Sequence, residues 1–293
     1  MTVDGTAPRA LVDWAARELS AAGVDSPAAD ARALVEWACG ADSLWSAPPL
    51  LAPEEVERLR GAVSARARRV PLQHITGRMH FRSLALRAAP GVFVVRPETE
   101  CVAQAAIDRA RTAVGRRGSA TVVDLCSGSG AIAIAVATEV PGCRVWAVEA
   151  DEAAARLAAS NIGALAPGRV ELLLADATDG ATLAHLDGTA DVVVSNPPYV
   201  PADEMPDQPE ALADPAGALY GGSPDGTAVP RLVARRALGL LAPGGALVME
   251  HSPSQSAAMR RAAESLGYCC ASTHRDLAGR DRYLVAERPG VTQ

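Results

Sequence analysis

The chain has 293 residues, 49% hydrophobic and 21% charged, which is enough for a sizeable core in one large or two ordinary domains. A net charge of −6 disfavours a general binder of phosphate backbones, and no run reaches the ~18 uninterrupted apolar residues of a membrane helix. The six cysteines show no metal-ligand spacing, the vicinal pair Cys269–Cys270 is poorly placed for a structural disulfide, and Met1 to Thr6 lacks a secretory pattern. These features describe a reduced, metal-free protein expected in the cytoplasm.

Thr6 and Pro8 open a predicted helix striped by Leu11, Trp14, Ala15, Leu19 and Ala22 and ended by Gly23. Ser26-Pro27 starts a second, lined by Leu34, Val35 and Ala38. A third is predicted from Glu54 to Arg69, with Val56, Leu59 and Val63 on its buried side. Its other faces carry Arg58, Arg60, Arg66, Arg68 and Arg69. That cluster reads either as a solvated face or as a docking surface for an acidic or nucleic-acid-containing partner. Residues 1–70 thus form a small helical domain. His80–Arg82 and Leu84–Arg87 alternate as two strands, followed by a Pro90-Gly91 turn, so 71–97 reads as a β-hairpin linker. Thr99 is placed to cap the next helix, with Glu98 and Glu100 in its first turn, where the helix dipole favours acids. Gly115 to Ala120 reads as a connector.

From there strands and helices alternate, the pattern of a parallel, doubly wound α/β sheet, here of seven strands within a domain spanning 98–293. Thr121 to Leu125 is a buried-type strand that runs into Cys126-Ser127-Gly128-Ser129-Gly130, where Gly128 and Gly130 let backbone approach a ligand. The next strand ends at Glu149, placed to take both hydroxyls of a ribose, and the following one at Asp176, placed to accept from an adenine amino group. Asp191-Val-Val-Val-Ser-Asn196 then stops at Pro197 and Pro198, which cannot donate to a ladder. Asn196 is therefore presented at a strand's carboxyl tip, where open α/β sheets bind ligands. Its amide oxygen and the Pro197 carbonyl make a pair of acceptors suited to a substrate –NH₂, and Tyr199 offers a flat face for a planar group. Residues 201–225 form a long loop rich in Pro, Asp and Gly, read as a substrate-side wall. Glu250-His251 ends a later strand and reads as a buried pair satisfied by its neighbours or as an acid–base pair.

Five ordered motifs carry a resemblance: Pro71-Leu-Gln-His-Ile-Thr-Gly77, Arg96-Pro-Glu-Thr-Glu100, Asp124-Leu-Cys-Ser-Gly-Ser-Gly130, Asn196-Pro-Pro-Tyr199, and Asp214-Pro215 with Ala218-Leu-Tyr-Gly-Gly222. Over residues 70–286 the chain resembles class I S-adenosylmethionine-dependent methyltransferases of the HemK type, the protein-(glutamine-N5) methyltransferases. The resemblance implies S-adenosyl-L-methionine as cofactor and S-adenosyl-L-homocysteine as product. It implies a cofactor site at Asp124, Cys126, Ser127, Gly128, Ser129, Gly130, Glu149, Asp176, Ala177 and Asn196. Substrate contacts are implied at Asn196, Pro197, Pro198, Tyr199, Arg96 and Glu100, with Asn196, Pro197 and Tyr199 catalytic. The acceptor implied is a glutamine of a peptide-chain release factor, held with help from the helical domain by a monomeric enzyme without direct nucleic-acid binding. Four positions depart from the family's habit: Cys126 for Gly, Glu149 for Asp, Val95 for Pro, and Ala177 where an aromatic often flanks the adenine. Two other acceptors stay open on the residues alone, a small-molecule amide or amine and the N6 amino group of a flipped adenine.

Overall fold

The computed structural model describes residues 6–204 and 209–290. The start of the chain, read above for a leader, and residues 205–208 of the long loop lie outside the described residues. Two compact units are present, and among the described residues no helix is long and apolar enough to cross a membrane. The first unit contains α1 (Pro8–Ala21), α2 (Pro27–Ala38), α3 (Pro53–Ala67) and the short α4 (Leu72–Thr76), together with residues 209–213. The first three helices each begin with proline, whose fixed φ suits the first helical position and whose missing N–H costs nothing there. Leu11, Leu19, Leu34, Leu59 and Val63 form its core.

The arginine-bearing face of α3 divides: Arg58, Arg60 and Arg68 are exposed, as on a solvated face, while Arg66 and Arg69 are drawn into the unit. Arg66 is buried and bridges Asp30 and Glu210, each at 2.7 Å. Arg69 grips the same Glu210 with two nitrogens, at 2.7 and 2.9 Å. Arg58 donates to the Ala38 carbonyl, and Arg68 to Ser64 Oγ one turn back.

The second unit opens on the hairpin β1 (Arg78–Phe81) and β2 (Leu84–Arg87). Its turn is locked by Arg82, whose backbone N–H donates to Glu100 and whose guanidinium grips Glu139. α5 (Thr99–Arg117) continues through Gly115 into the stretch expected to be a connector, and closes on the left-handed Gly118. Then follow β3 (Ala120–Leu125), α6 (Ala131–Glu139), β4 (Cys143–Glu149), α7 (Glu152–Leu165), β5 (Val170–Leu174) and β6 (Ala190–Ser195). After α8 (Ala216–Leu219) and α9 (Ala228–Leu240) come β7 (Leu241–Glu250), α10 (Ser256–Leu266), β8 (Cys269–Arg275) and β9 (Asp281–Glu287). The seven-stranded sheet has the order β5-β4-β3-β6-β7-β9-β8. Its first five strands run parallel, and β9 is antiparallel to both neighbours. β7 starts at Leu241, earlier than the Pro-Gly-Gly run suggests, because Leu241 pairs with Ala190 across an irregular register. Val122, Val123, Val193, Val194, Leu247 and Val248 fill the sheet's centre. Chain order reverses between β3 and β6, and their carboxyl ends open the crevice in which such sheets bind ligands.

Burial opposes ionisation of Glu210, but hydrogen bonds from Arg69 and Arg66 overcome it and hold the carboxyl at about 2. A depressed folded pKa contributes stability above the unfolded value near 4.5, and that contribution is lost as pH falls through the folded one. Glu210→Gln is expected to destabilise the helical unit by about 1–3 kcal/mol at pH 7. The deficit should vanish as the pH approaches 2, in urea titrations followed by tryptophan fluorescence, since Trp14, Trp37 and Trp45 all lie in this unit.

Candidate active site

The turn after β3 is built on unusual backbone. Cys126, Gly128 and Gly130 all take left-handed φ values, of 61°, 57° and 85°. Only glycine adopts that region without strain, so Cys126 carries a cost its neighbours do not. A Cβ at Gly130 would press on Ile134 Cδ1 at 3.3 Å, whereas one at Gly128 would meet nothing within 4 Å. The loop is pinned from below by Asp124, whose Oδ2 accepts from Ser127 Oγ at 2.7 Å and from the Ala133 N–H at 3.1 Å. Full burial pushes the Asp124 carboxyl up to about 7 against the pull of those two bonds. Asn161 of α7 donates to the Ser129 carbonyl at 3.0 Å and accepts from the Arg87 N–H at 2.9 Å, tying the loop to the hairpin.

The other strand ends converge on the same side. Glu149, at the tip of β4, accepts from the Gly128 N–H at 2.7 Å and from the Asp151 N–H at 2.9 Å. Asp176, after β5, accepts from the N–H and hydroxyl of Thr178. Between these groups lies a cavity of about 550 Å³. Cys126, Gly128, Glu149, Asp176, Ala177, Asn196 and Pro198 line it, with Val92, Phe93, Val229 and Leu232 adding apolar surface. Burial, reinforced by the charge of Glu149, pushes the Cys126 thiol up to about 12, so it faces the cavity as a neutral, small apolar group.

The remaining sequence-predicted residues do not line the cavity. Asp124, Ser127, Ser129 and Gly130 shape the loop behind it. Glu100 is spent on the hairpin turn. Arg96 pairs with Asp214, which also accepts from the Val94 N–H, and lies over the Phe93 ring, so it braces the segment that leads to Val92 and Phe93. Each braces a neighbouring segment here.

Asn196 and Tyr199 are held by partners that local sequence did not disclose. Asn196 Nδ2 donates to Thr99 Oγ1 at 3.2 Å, which leaves its amide oxygen to accept. Thr99 is the first residue of α5 and makes no cap, contrary to expectation; its hydroxyl accepts from Asn196 instead. The Tyr199 hydroxyl donates to Glu250 Oε1 at 3.0 Å, and its carbonyl accepts from Gln255 Nε2 at 2.7 Å. Gln255 also donates to the Asp225 carbonyl at 2.7 Å. A Cβ at Gly226 would collide with the Tyr199 carbonyl, and one at Gly221 with the Gly226 carbonyl, so the backbones pack directly against one another. The distance in chain of Glu250, Gln255 and Thr99 from these residues hid the contacts; a polar strand end at Glu250 was the one visible sign.

A mostly parallel sheet with a glycine turn, acids at successive strand tips and a proline-terminated Asn tip defines a methyltransferase of the seven-stranded α/β class. A solved methyltransferase from Pyrococcus furiosus has the same fold, with a TM-score of 0.51 and 20% identity, matching 71% of this chain and 91% of that one. Residues 10–77 match the PrmC N-terminal domain and residues 85–211 the methyltransferase small domain. The release factor glutamine methyltransferase of Bifidobacterium longum is 44% identical across 94% of this chain and 98% of its own length. That of Streptomyces coelicolor is 42% identical across 95% and 97%. The chain belongs to the release factor glutamine methyltransferase family.

Proposed function

We propose that the chain methylates the side-chain amide nitrogen of a glutamine in a peptide-chain release factor, with S-adenosylmethionine as methyl donor. The observation that carries the reading is the orientation of Asn196, whose NH₂ is engaged by Thr99 while its oxygen is left as an acceptor at the cavity. The names of the full-length relatives support the same acceptor.

The residues around the cavity fit the donor. Open space at Gly128 admits close approach of a ligand to the backbone, and Glu149 keeps lone pairs beyond the two it gives to N–H groups. Asp176 likewise retains acceptor capacity, while Ala177, Val229 and Leu232 give apolar surface for a nucleoside. Glu149 would take the ribose hydroxyls and Asp176 the adenine amino group. When bound, S-adenosylmethionine supplies a methyl group on a sulfonium, so the chain itself needs no metal and forms no covalent intermediate.

What the chain must overcome is the weak nucleophilicity of an amide nitrogen, whose lone pair is delocalised into its carbonyl. The Asn196 oxygen and the Pro197 carbonyl would accept the two amide N–H bonds. They would hold the nitrogen in one orientation and stabilise positive charge as it grows there. Tyr199, fixed at both its hydroxyl and its carbonyl, would keep the acceptor plane in place. An N-methylated cationic amide is acidic enough to lose its proton to water, so no general base is assigned. In this reading residues 1–70 dock the protein substrate, 71–97 link, and 98–293 carry the chemistry, in a monomeric cytoplasmic enzyme.

Glu149→Ala should weaken S-adenosylmethionine binding by about 1–3 kcal/mol, roughly 5- to 150-fold, in calorimetry; unchanged affinity removes Glu149 from the site. Asn196→Ala should keep cofactor affinity but lower turnover about 10²–10³-fold, the scale seen when one transition-state hydrogen bond is deleted. Retention of more than half the activity would be incompatible with the acceptor pair. To identify the acceptor, the purified protein and labelled S-adenosylmethionine can be offered a release factor, an adenine-containing oligonucleotide and a metabolite extract side by side. Label is expected at a glutamine nitrogen of the release factor. Label confined to the oligonucleotide or to a small molecule would overturn the acceptor while leaving the cofactor site intact.

A further inference from the structure

We propose that Asp214 is a positioning residue of the donor cavity: its carboxylate holds together two irregular stretches of chain that wall the cavity, and so sets how long a bound donor or product stays. The proposal rests on the reading of the cavity as the S-adenosylmethionine site, and adds to it a residue that lies behind the lining.

The cavity has two kinds of wall. Gly128, Glu149, Asp176 and Asn196 sit at or just beyond the carboxyl ends of parallel strands, so the sheet's ladder holds that part. Gly91, Val92 and Phe93 supply another part, and Pro215, Gly217 and Ala218 a third. The first of these trios lies in the stretch 91–98, which belongs to no helix or strand. The second belongs to or adjoins α8, a helix of only four residues. A single helical turn has little stability of its own, and a stretch outside any ladder opens readily. The position of both walls must come from bonds made by the residues beside them.

Asp214 makes those bonds. It stands immediately before Pro215, and its Oδ1 accepts from the Val94 N–H at 3.2 Å. Its Oδ2 accepts from Arg96 Nη2. The Arg96 guanidinium lies 5.2 Å from the centre of the Phe93 ring, within cation–π range. One carboxylate thus fixes the backbone at Val94, the side chain of Arg96 and, through Arg96, the ring of Phe93. It joins stretches 120 positions apart in sequence, each directly beside cavity-lining residues. The Asp214 side chain is 1% exposed and that of Arg96 21%. Salt screens an ion pair at that depth little, and losing either partner leaves the other charge uncompensated. Without Arg96 the Asp214 carboxylate regains solvation only by turning toward water, which draws Pro215 and the start of α8 away from 92–96. The pair that holds the walls together when made therefore drives them apart when broken.

The test is Asp214→Asn in the full-length protein, which keeps an oxygen for the Val94 N–H but removes the charge that Arg96 meets. Surface plasmon resonance on the immobilised protein gives association and dissociation rates for S-adenosylmethionine and S-adenosylhomocysteine. Both should leave Asp214→Asn about 10- to 100-fold faster than the parent, the effect of losing one charged hydrogen bond, and should associate no more slowly. In ligand-free protein, hydrogen exchange should quicken across 92–96 and stay parent-like across β3 and β4, which a general loss of stability would also move. Arg96→Met should behave alike, and the two combined should be no worse than Arg96→Met alone, because the pair is already broken. Parent-like dissociation in Asp214→Asn, exchange raised equally across the sheet, or full additivity with Arg96→Met would overturn the proposal. Should Asp214→Asn fail to fold, Arg96→Lys against Arg96→Met decides. Faster dissociation in Arg96→Met with substantial recovery in Arg96→Lys supports the pair; parent-like dissociation in Arg96→Met, or equal loss in both, refutes it. A parent that binds neither ligand overturns the donor reading and this proposal together, whereas a parent that binds while Asp214→Asn releases at the parent's rate overturns the role of Asp214 alone.

Discussion

A buried parallel strand that runs into two prolines cannot continue its ladder, and the site depends on that stop. β6 pairs on both sides as far as Ser195, and Pro197 then removes the next donor. Asn196 is left at the crevice where chain order reverses, with its backbone held by the sheet and its side chain free to be oriented by others. The chain beyond is secured by direct backbone packing, since Gly221, Gly226 and the Tyr199 carbonyl stack too closely for any side chain between them. Gln255 clamps the Tyr199 and Asp225 carbonyls together from α10's side. A strand end, a tyrosine and a distant loop thereby become one rigid surface.

The carboxylates of the second unit do two jobs by position. Asp124 is fully buried and spends its accepting oxygen on Ser127 and on the first turn of α6, where an anion suits the helix dipole. Glu149 and Asp176 satisfy local N–H groups yet stay at the cavity surface. Glu250 is buried like Asp124, and burial raises both to about 7; Glu250 accepts from the Tyr199 hydroxyl, whereas Asp124 accepts from a hydroxyl and a backbone N–H.

In the helical unit part of a sequence cue is answered by a partner far away in the chain. Five arginines along one helix suggest a surface that meets something acidic. The acid is in the same chain: Glu210, more than 140 residues away, takes both Arg66 and Arg69, while Asp30 takes the other side of Arg66.

Much was legible in the residues because it rests on local rules. Alternating strands and helices, glycines at the turn after β3, acids at the tips of β4 and β5, and prolines after Asn196 each follow from backbone sterics or from the period of burial, which act over a few residues. The family itself was legible in the five ordered motifs, and the full-length relatives bear that out. Beyond local reach, tertiary structure decided. It gave Thr99 to Asn196 rather than to a helix cap, sent Glu100 to the hairpin and Arg96 to Asp214, and brought Glu250 to the Tyr199 hydroxyl. A polar side chain names no partner in its own sequence; its hydrogen bonds are settled by which strands lie side by side, and that order is a property of the folded sheet.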